Sequence, residues 1–178
     1  MLSKIKQWIP LAIIITGFCG LVYLAVQQDI RQGANDPQIQ MSEDSARVLE
    51  NGAKVEEVVS KTEVDISKSL APFLIIFNDR QEVVNSQAVL GGKIPKPPTG
   101  VFEFVRTHEK EWLTWEPKPG VRIAAVITKY NGANPGFVLA GRSIREVEKR
   151  EDWLVKQVGA AGVTLLIVSF LATLIFGR

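Results

Sequence analysis

The sequence predicts an α+β protein in which two transmembrane helices flank a domain built on an antiparallel sheet of about five strands. Two apolar segments, residues 9–26 and 158–176, contain no charged residue, and each is about long enough to cross a hydrocarbon core of ~30 Å as a helix. Between them lie β-rich runs joined by short turns. Short hairpin connections favour antiparallel pairing, and a sheet covered by helices on one face is typical of the α+β class.

The charge distribution predicts how the two apolar segments are oriented. All 19 acidic residues lie between them, whereas the basic residues Lys4, Lys6 and Arg178 lie outside them. Short chain ends that carry Lys or Arg tend to stay on the cytoplasmic side of a membrane. The predicted organisation is a cytoplasmic N-terminus (1–8), a first transmembrane helix (9–28), an extracytoplasmic domain (29–156), a second transmembrane helix (157–176) and a cytoplasmic C-terminus (177–178).

The first apolar segment is predicted to be an uncleaved signal anchor. It is longer than the usual hydrophobic region of a signal peptide, and no Ala-x-Ala site precedes Gln27. Cys19, the single cysteine, lies inside this segment, so no disulfide is expected in the domain between the segments. The net charge of +2 is too small to indicate a nucleic-acid partner.

An amphipathic helix is predicted after the first apolar segment. Asp36 and Pro37 are typical of an N-cap and a first helical position, and apolar residues then recur at helical spacing to about residue 59, with Gly52 as the point of interruption. The run FLIIF at residues 73–77 follows and predicts a central strand buried on both faces.

The rest of the domain is predicted to be mainly strands. A turn at residues 78–81 leads to a returning strand at 82–87, and the glycine- and proline-rich stretch 91–98 is typical of an irregular loop. Alternating side chains predict a further strand at 101–106. The last two predicted strands are Val121–Tyr130 and residues 136–140, which are expected to lie beside each other.

Ser143 and Glu146 fit the capping box S-x-x-E at the start of the last helix. No proline follows before the membrane, so one helix is expected over residues 143–176, with 143–156 as a stalk outside the membrane. A stalk continuous with the second span suits either a simple tether or the transmission of a piston or rotation signal. The sequence leaves these two interpretations open.

The order of these elements resembles a known family. The segments FLIIFND (73–79), EVVNS (82–86), GFVLAGR (136–142) and SIREVE (143–148), the last leading into a second span, are together similar to the extracytoplasmic PAS-like, Cache-type sensor regions of two-pass bacterial histidine kinases and chemoreceptors. The resemblance covers most of the chain. It implies a PAS-like sensor domain on the periplasmic or extracellular side of a bacterial inner membrane.

The chain departs from this family at two places. Only Gly177 and Arg178 follow the second span, so no kinase or methyl-accepting output region is expected and the protein is interpreted as a stand-alone member. Arg80 and Gln81 also occupy the first hairpin turn, where the family usually has a glycine. The architecture is therefore better indicated than any ligand.

The sequence contains little that is typical of catalysis. His108, the single histidine, lies in the hydrophilic stretch THEKE, which does not fit the zinc motif H-E-x-x-H, and we interpret it as a solvated loop residue. Neither a nucleophile motif nor a phosphate-binding loop is present. We therefore expect a non-enzymatic protein without a metal or cofactor.

A candidate binding site combines Arg122 with Trp115 and Tyr130. If strands flank the turn at residues 117–120, Trp115 and Arg122 approach across it, and a guanidinium beside an aromatic ring can hold a small anion or carboxylate. Ordinary cross-strand stacking is the alternative. Trp8 and Trp153, near the ends of the apolar segments, are typical of interfacial anchors.

Two functional hypotheses follow. In the first, the outer domain binds a small molecule or protein, and the spans relay the result to a membrane signalling partner or a second copy in the bilayer. In the second, the protein is a structural or assembly factor with a protein-binding outer domain. A pocket lined by convergent polar groups would favour the first hypothesis, and a filled, closed core the second.

Overall fold

The computed structural model describes residues 2–177. They form two compact units: the chain up to Gln32 together with the chain from Val147, and Gly33–Glu146. Arg178, one of the charges behind the predicted orientation, lies outside the described residues.

Four helices occur in the described chain. They are α1 (Leu2–Glu50), α2 (Val55–Val58), α3 (Thr99–His108) and α4 (Arg145–Phe176). By length and composition, α1 and α4 are apolar enough to cross a membrane. The last helix runs without interruption through the second apolar segment, as the absence of a proline after Ser143 predicts.

In the first unit, α1 and α4 pack against each other in antiparallel directions. The indole N–H of Trp8 donates a 2.9 Å hydrogen bond to Ser169 Oγ, and the Trp8 ring meets the edge of Phe170 at 5.3 Å between centroids. At the other end, Arg31 Nε lies 2.6 Å from Glu151 Oε1. Trp8 and Arg31 are 23 residues apart, or about 35 Å along a helix, which is close to the ~30 Å thickness of a hydrocarbon core.

The Gly33–Glu146 unit is built on one five-stranded antiparallel sheet. The strands of this unit are β1 (Val64–Asp65), β2 (Phe73–Asn78), β3 (Val83–Ser86), β4 (Ala88–Val89), β5 (Lys110–Lys118), β6 (Val121–Tyr130) and β7 (Gly136–Ser143). The strands of the sheet lie in the order β3-β2-β7-β6-β5. A separate parallel pair joins β1 with β4.

Apolar side chains cover both faces of the sheet. Phe73, Ile75 and Phe77 alternate towards the face that packs against α3, and Phe102 of α3 meets both Phe77 and Phe137 edge-on. The intervening residues of β2 point to the opposite face, where the second half of α1 and α2 pack. The prediction of a strand buried on both faces is confirmed, although β7 rather than β2 occupies the centre of the sheet.

The strand predicted at residues 101–106 is wrong, because this segment belongs to α3. Phe102 and Val105 are three residues apart and are both buried, which is helical rather than strand periodicity. A short apolar run such as VFEFV fits either pattern, and packing on the sheet decides in favour of the helix. The fifth strand is β5, which carries the WLTW segment.

The predicted helix start at Asp36 and Pro37 is also wrong, because α1 continues through both residues. Pro37 has no N–H, so the carbonyl of Gly33 loses its usual helical donor there. Gly52 does interrupt the helical pattern as expected. It adopts φ of +89°, and the bonds from Gly52 N to Leu49 O and from Ala53 N to Val48 O form the Schellman arrangement that ends a helix.

The end of β7 does not match the capping box predicted from Ser143 and Glu146. Ser143 is the last residue of β7 and pairs with Ile123. Its Oγ accepts a long hydrogen bond of 3.5 Å from the N–H of Arg145, whereas the capping box requires the N–H of Glu146 as the donor. Pairing with β6 therefore holds the serine in the sheet, and α4 begins two residues later.

Gly136 is predicted to be intolerant of any side chain. A Cβ at this position would lie 2.1 Å from the backbone oxygen of Phe77 and 2.8 Å from the Tyr130 hydroxyl. We expect Gly136→Ala to lower the free energy of unfolding by about 1–3 kcal/mol, because the two central strands must move apart. Denaturant unfolding of the full-length protein in detergent measures this change.

Gly100→Ala is the matched control. Gly100 lies in α3 with open space around its missing Cβ, so alanine should be neutral or stabilise the helix by ~0.5–1 kcal/mol. Equal unfolding energies for the two variants would show that β2 and β7 do not approach closely at Gly136.

A disulfide tests the antiparallel pairing of α1 with α4. A Cβ built at Gly162 lies 3.9 Å from Cys19 Cβ, within the ~3.5–4.5 Å range of disulfides. We expect Gly162→Cys to form an intramolecular disulfide with Cys19 under mild oxidation in membranes, measured as the loss of both thiols to maleimide labelling. The Gly159→Cys control has no atom within 4 Å of its Cβ and should keep both thiols, so comparable oxidation of the two variants contradicts the pairing.

Candidate functional site

The structure does not bring the predicted binding residues together. Trp115 pairs directly with Ile123, so these two side chains share one face of the sheet. Arg122 is the neighbour of Ile123 on β6 and therefore points to the opposite face. Tyr130 lies eight residues further along the strand, or about 26 Å from Arg122 at ~3.3 Å per residue.

The surroundings of Trp115 and Tyr130 are those of residues that pack on the sheet. Trp115 packs at the margin of the α3-facing core, and its indole nitrogen is buried without a hydrogen-bond partner among the described residues. Tyr130 packs in the α1-facing core, where burial raises the pKa of its hydroxyl. Both placements agree with the alternative of ordinary packing on the sheet.

A polar cavity lies elsewhere in the Gly33–Glu146 unit and brings together three distant parts of the chain. Its volume is about 390 Å³, and it opens where the C-terminal ends of α1 and α3 meet the start of β5 and the end of β6. Its lining residues are Glu43, Ala46, Arg47, Glu50, His108, Glu109, Lys110, Thr128, Lys129 and Asn131.

An ion pair joins two walls of this cavity. Lys110 Nζ of β5 lies 2.5 Å from Glu43 Oε1 of α1, and the same ammonium lies 5.0 Å from the centroid of the Trp112 ring. Both side chains of the ion pair are partly exposed, so the pair stabilises the fold only slightly. The ion pair connects α1 to the edge strand β5.

Glu50, the last residue of α1, holds the third wall in place. Its Oε1 accepts a 2.9 Å hydrogen bond from the backbone N–H of Asn131, which follows β6. Gly132 approaches the same helix end, since a Cβ there would lie 3.4 Å from Glu50 O, and its φ is +124°. The Glu50 carboxylate thus connects the end of α1 to the loop between β6 and β7.

Glu109 adopts an unusual backbone conformation beside the cavity. Its φ is +65°, in the left-handed region that residues other than glycine rarely adopt, and its N–H bonds to Val105 O to end α3. Its carbonyl accepts the N–H of Lys129 at 2.9 Å. This bond places the two residues opposite each other on neighbouring chain segments.

The charged groups of Glu109 and Lys129 form no ion pair with other described residues of the domain. Arg47 is paired with Asp44 at 3.4 Å, and Lys110 with Glu43. Among residues 2–177, by contrast, neither the Glu109 carboxylate nor the Lys129 ammonium makes an ion pair or side-chain hydrogen bond. Thr128 bonds to Ser42 of α1 and Tyr130 packs in the α1-facing core, so the Lys129 side chain between them points to the opposite face of the sheet.

His108 lies at the rim of the cavity, but its ring contacts residues of its own helix. It is the last residue of α3, not a loop residue as predicted. Its ring stacks on Phe104 with 3.9 Å between centroids, and Nδ1 lies 2.8 Å from Thr107 Oγ1. Within the described part of the chain, no group of three or more side chains of the types that bind metals is present.

A buried polar seam positions α1 on the sheet beside the cavity. Gln38, Ser42 and Ser45 recur at helical spacing on the face of α1 that meets the sheet, and all three are buried. The Ser42 hydroxyl donates to Thr128 Oγ1 at 2.6 Å, with Val138 O at 3.3 Å. Because serine is small, the helix lies close enough to bond the sheet directly.

Little in the sequence indicates this cavity. The acidic residues Glu43 and Glu50 of α1 are distant in sequence from Lys110 and Lys129. Each of the four is of a type that is common at ordinary solvated positions. The one local signal was Glu109 directly after the helix, where glycine is the usual residue. It is visible only once residues 99–108 are known to be helical.

Comparisons with known proteins do not assign the chain to a family. No protein-family model, no curated protein and no solved structure matches it.

Removal of the Ser42 hydroxyl should loosen α1 from the sheet. We expect Ser42→Ala to lower the free energy of unfolding by about 1–3 kcal/mol, since Thr128 loses its donor at a buried contact. A double-mutant cycle with Thr128→Val measures the pair, and the double variant should cost clearly less than the sum of the single changes. Additive costs would mean that the two hydroxyls do not interact.

Proposed function

We propose that this is a non-enzymatic two-pass protein of a bacterial inner membrane, with a PAS-like α+β domain on the periplasmic or extracellular side. The domain binds a small polar ligand in the cavity at the ends of α1 and α3. Binding is relayed to another membrane signalling protein. The two long apolar helices, whose outward side chains are exposed and apolar, support the membrane location, and the five-stranded antiparallel sheet is of the size that a PAS-like domain requires.

The observation that carries the proposal is that α1 forms one wall of the cavity. Four of its lining residues, Glu43, Ala46, Arg47 and Glu50, belong to α1, the helix that also contains the first apolar segment. A ligand that binds more tightly to one position of this wall than to another shifts the population of α1 positions. A sensor needs this kind of linkage between its binding site and its span.

A second candidate function is that of a structural or assembly factor. Both faces of the sheet are filled by side chains of the same unit, which leaves recognition to the surface. The edge strand β5 is nine residues long and carries Trp112 with 48% of its surface exposed. An exposed edge strand can pair with an extended segment of a partner protein.

The membrane topology is tested with reporter fusions. We expect a periplasm-active reporter inserted after Asn131 to be active and the same reporter at the C-terminus to be inactive, because the short positive ends stay in the cytoplasm. A cytoplasm-active reporter should give the opposite pattern. Activity of the periplasmic reporter at the C-terminus would refute the proposed topology.

The relay is tested with the disulfide between Cys19 and Gly162→Cys. In membranes, a compound that binds the cavity should change the rate of this disulfide, because α1 contributes to both places. The probes are a library of amino acids, dicarboxylates and sugars, and binding is measured independently as a thermal shift. Binding with an unchanged oxidation rate would contradict the relay and favour the assembly function.

A further inference from the structure

The strand β5 lies at the end of the sheet, and within residues 2–177 it pairs with β6 alone. We propose that its outer edge pairs in antiparallel direction with β5 of a second copy of the chain, so that two sheets join into one. This protein partner is independent of any ligand in the cavity, so the proposal goes beyond the proposed function.

One hydrogen bond fixes which backbone groups of β5 point outwards. The N–H of Lys129 donates to Glu109 O at 2.9 Å, and these two residues directly extend the register of β5 with β6. Hydrogen-bonded and non-hydrogen-bonded residues alternate in an antiparallel pair, so Glu111, Leu113 and Trp115 bond to β6. The residues whose N–H and C=O groups point away from β6 are Lys110, Trp112, Thr114 and Glu116.

The outward backbone groups are open among the described residues, since no other segment forms a backbone hydrogen bond with them. The strand is nine residues long, whereas β3 at the other edge of the sheet has four residues. Natural edge strands are commonly short or protected by bulges, prolines or charges. The bulge and the proline of β5 lie only at its end, within residues 115–118, and Trp112 near its middle is 48% exposed.

Charge complementarity favours a second copy as the partner. When Lys110 lies opposite Glu116 of the second copy, Trp112 lies opposite Thr114, and the twofold axis repeats both pairs. All four residues belong to the outward set, so their free N–H and C=O groups can bond to each other. Lysine and glutamate directly across a strand pair also attract each other.

Neighbouring registers are less favourable than this one. A shift by one residue sets outward groups against groups that already bond to β6. A shift by two residues in one direction places Lys110 opposite Lys118, where like charges repel. In the other direction Glu116 has no opposite residue within β5.

The side chains of the two copies match by face. Lys110 pairs with Glu43 of α1, whereas Leu113 and Trp115 pack at the margin of the α3-facing core. A twofold axis perpendicular to the sheet keeps the α3-facing sides of both copies together, so Leu113 lies directly opposite its own counterpart. On the other face, Trp112 has the same residue of the second copy as a diagonal neighbour, a distance that aromatic side chains can span.

The oligomeric state is measured on the full-length protein in detergent by analytical ultracentrifugation. We expect a dimer that dissociates on dilution. Thr114→Pro should raise its dissociation constant roughly tenfold or more, because proline removes an outward N–H from each copy. The melting temperature of the monomer should change little, since proline is tolerated where the N–H of an edge strand faces solvent. Thr114→Val is the matched control and should dimerise like the wild type.

Cysteine cross-linking tests the register separately. With the native thiol removed by Cys19→Ala, Leu113→Cys places two thiols at a non-hydrogen-bonded pair, where Cα atoms lie ~4.5 Å apart, within the range of a disulfide. Thr114→Cys is the control, because position 114 is more exposed but meets its counterpart only across a diagonal of ~7–8 Å. We expect Leu113→Cys to form disulfide-linked dimers in membranes several-fold faster than Thr114→Cys.

A full-length protein that stays monomeric would overturn the inference and leave the edge to an extended segment of a different protein. A dimer that keeps its affinity in folded Thr114→Pro would place the interface elsewhere and reject the role of β5. Faster cross-linking of Thr114→Cys than of Leu113→Cys would reject the proposed register, since it is the result expected from exposure alone.

Discussion

The pairing of β7 with β2 on one side and β6 on the other is the constraint on which the Gly33–Glu146 unit depends. Six residue pairs join β7 to β2 and eight join it to β6, so both backbone edges of the last strand are occupied. Gly136 and Gly141 make the pairing sterically feasible, since a Cβ at Gly141 would lie 2.5 Å from the Phe73 ring. With β7 in place, the sheet has two filled faces, and α1, α3 and the cavity take their positions from it.

Strands and apolar helices were predictable because each is encoded locally. Val121–Tyr130 matches β6 residue for residue, and the FLIIF run is buried on both faces as its composition indicates. The α3 segment was not predictable, because VFEFVR satisfies both strand and helix periodicity and only its packing on Phe77 and Phe137 decides. The predicted start of the amphipathic helix was wrong for a related reason. Asp36 and Pro37 are typical of a helix N-terminus, but the observed helix is longer and continues through both residues.

The binding site was harder to predict than the fold. Whether Trp115 approaches Arg122 depends on the pairing register across a turn, and a shift of one residue moves a side chain to the other face. The observed pairing of Trp115 with Ile123 separates the two predicted residues. The cavity depends on contacts between segments that are distant in sequence, such as Lys110 with Glu43, and no local pattern marks those residues before the sheet order is known.

The central place of β7 has a consequence for biosynthesis. The inner edge of β2 has no partner until Gly136 has been made, 58 residues after Asn78, which is the last residue of β2. At a translation rate of ~5–20 residues per second, this edge stays open for roughly 3–12 s. During that interval the nascent chain presents a fully apolar strand with free backbone groups, the kind of surface that aggregates or recruits chaperones. Since α4 begins two residues after β7 ends, synthesis of the last helix starts as soon as the central strand of the sheet has been made.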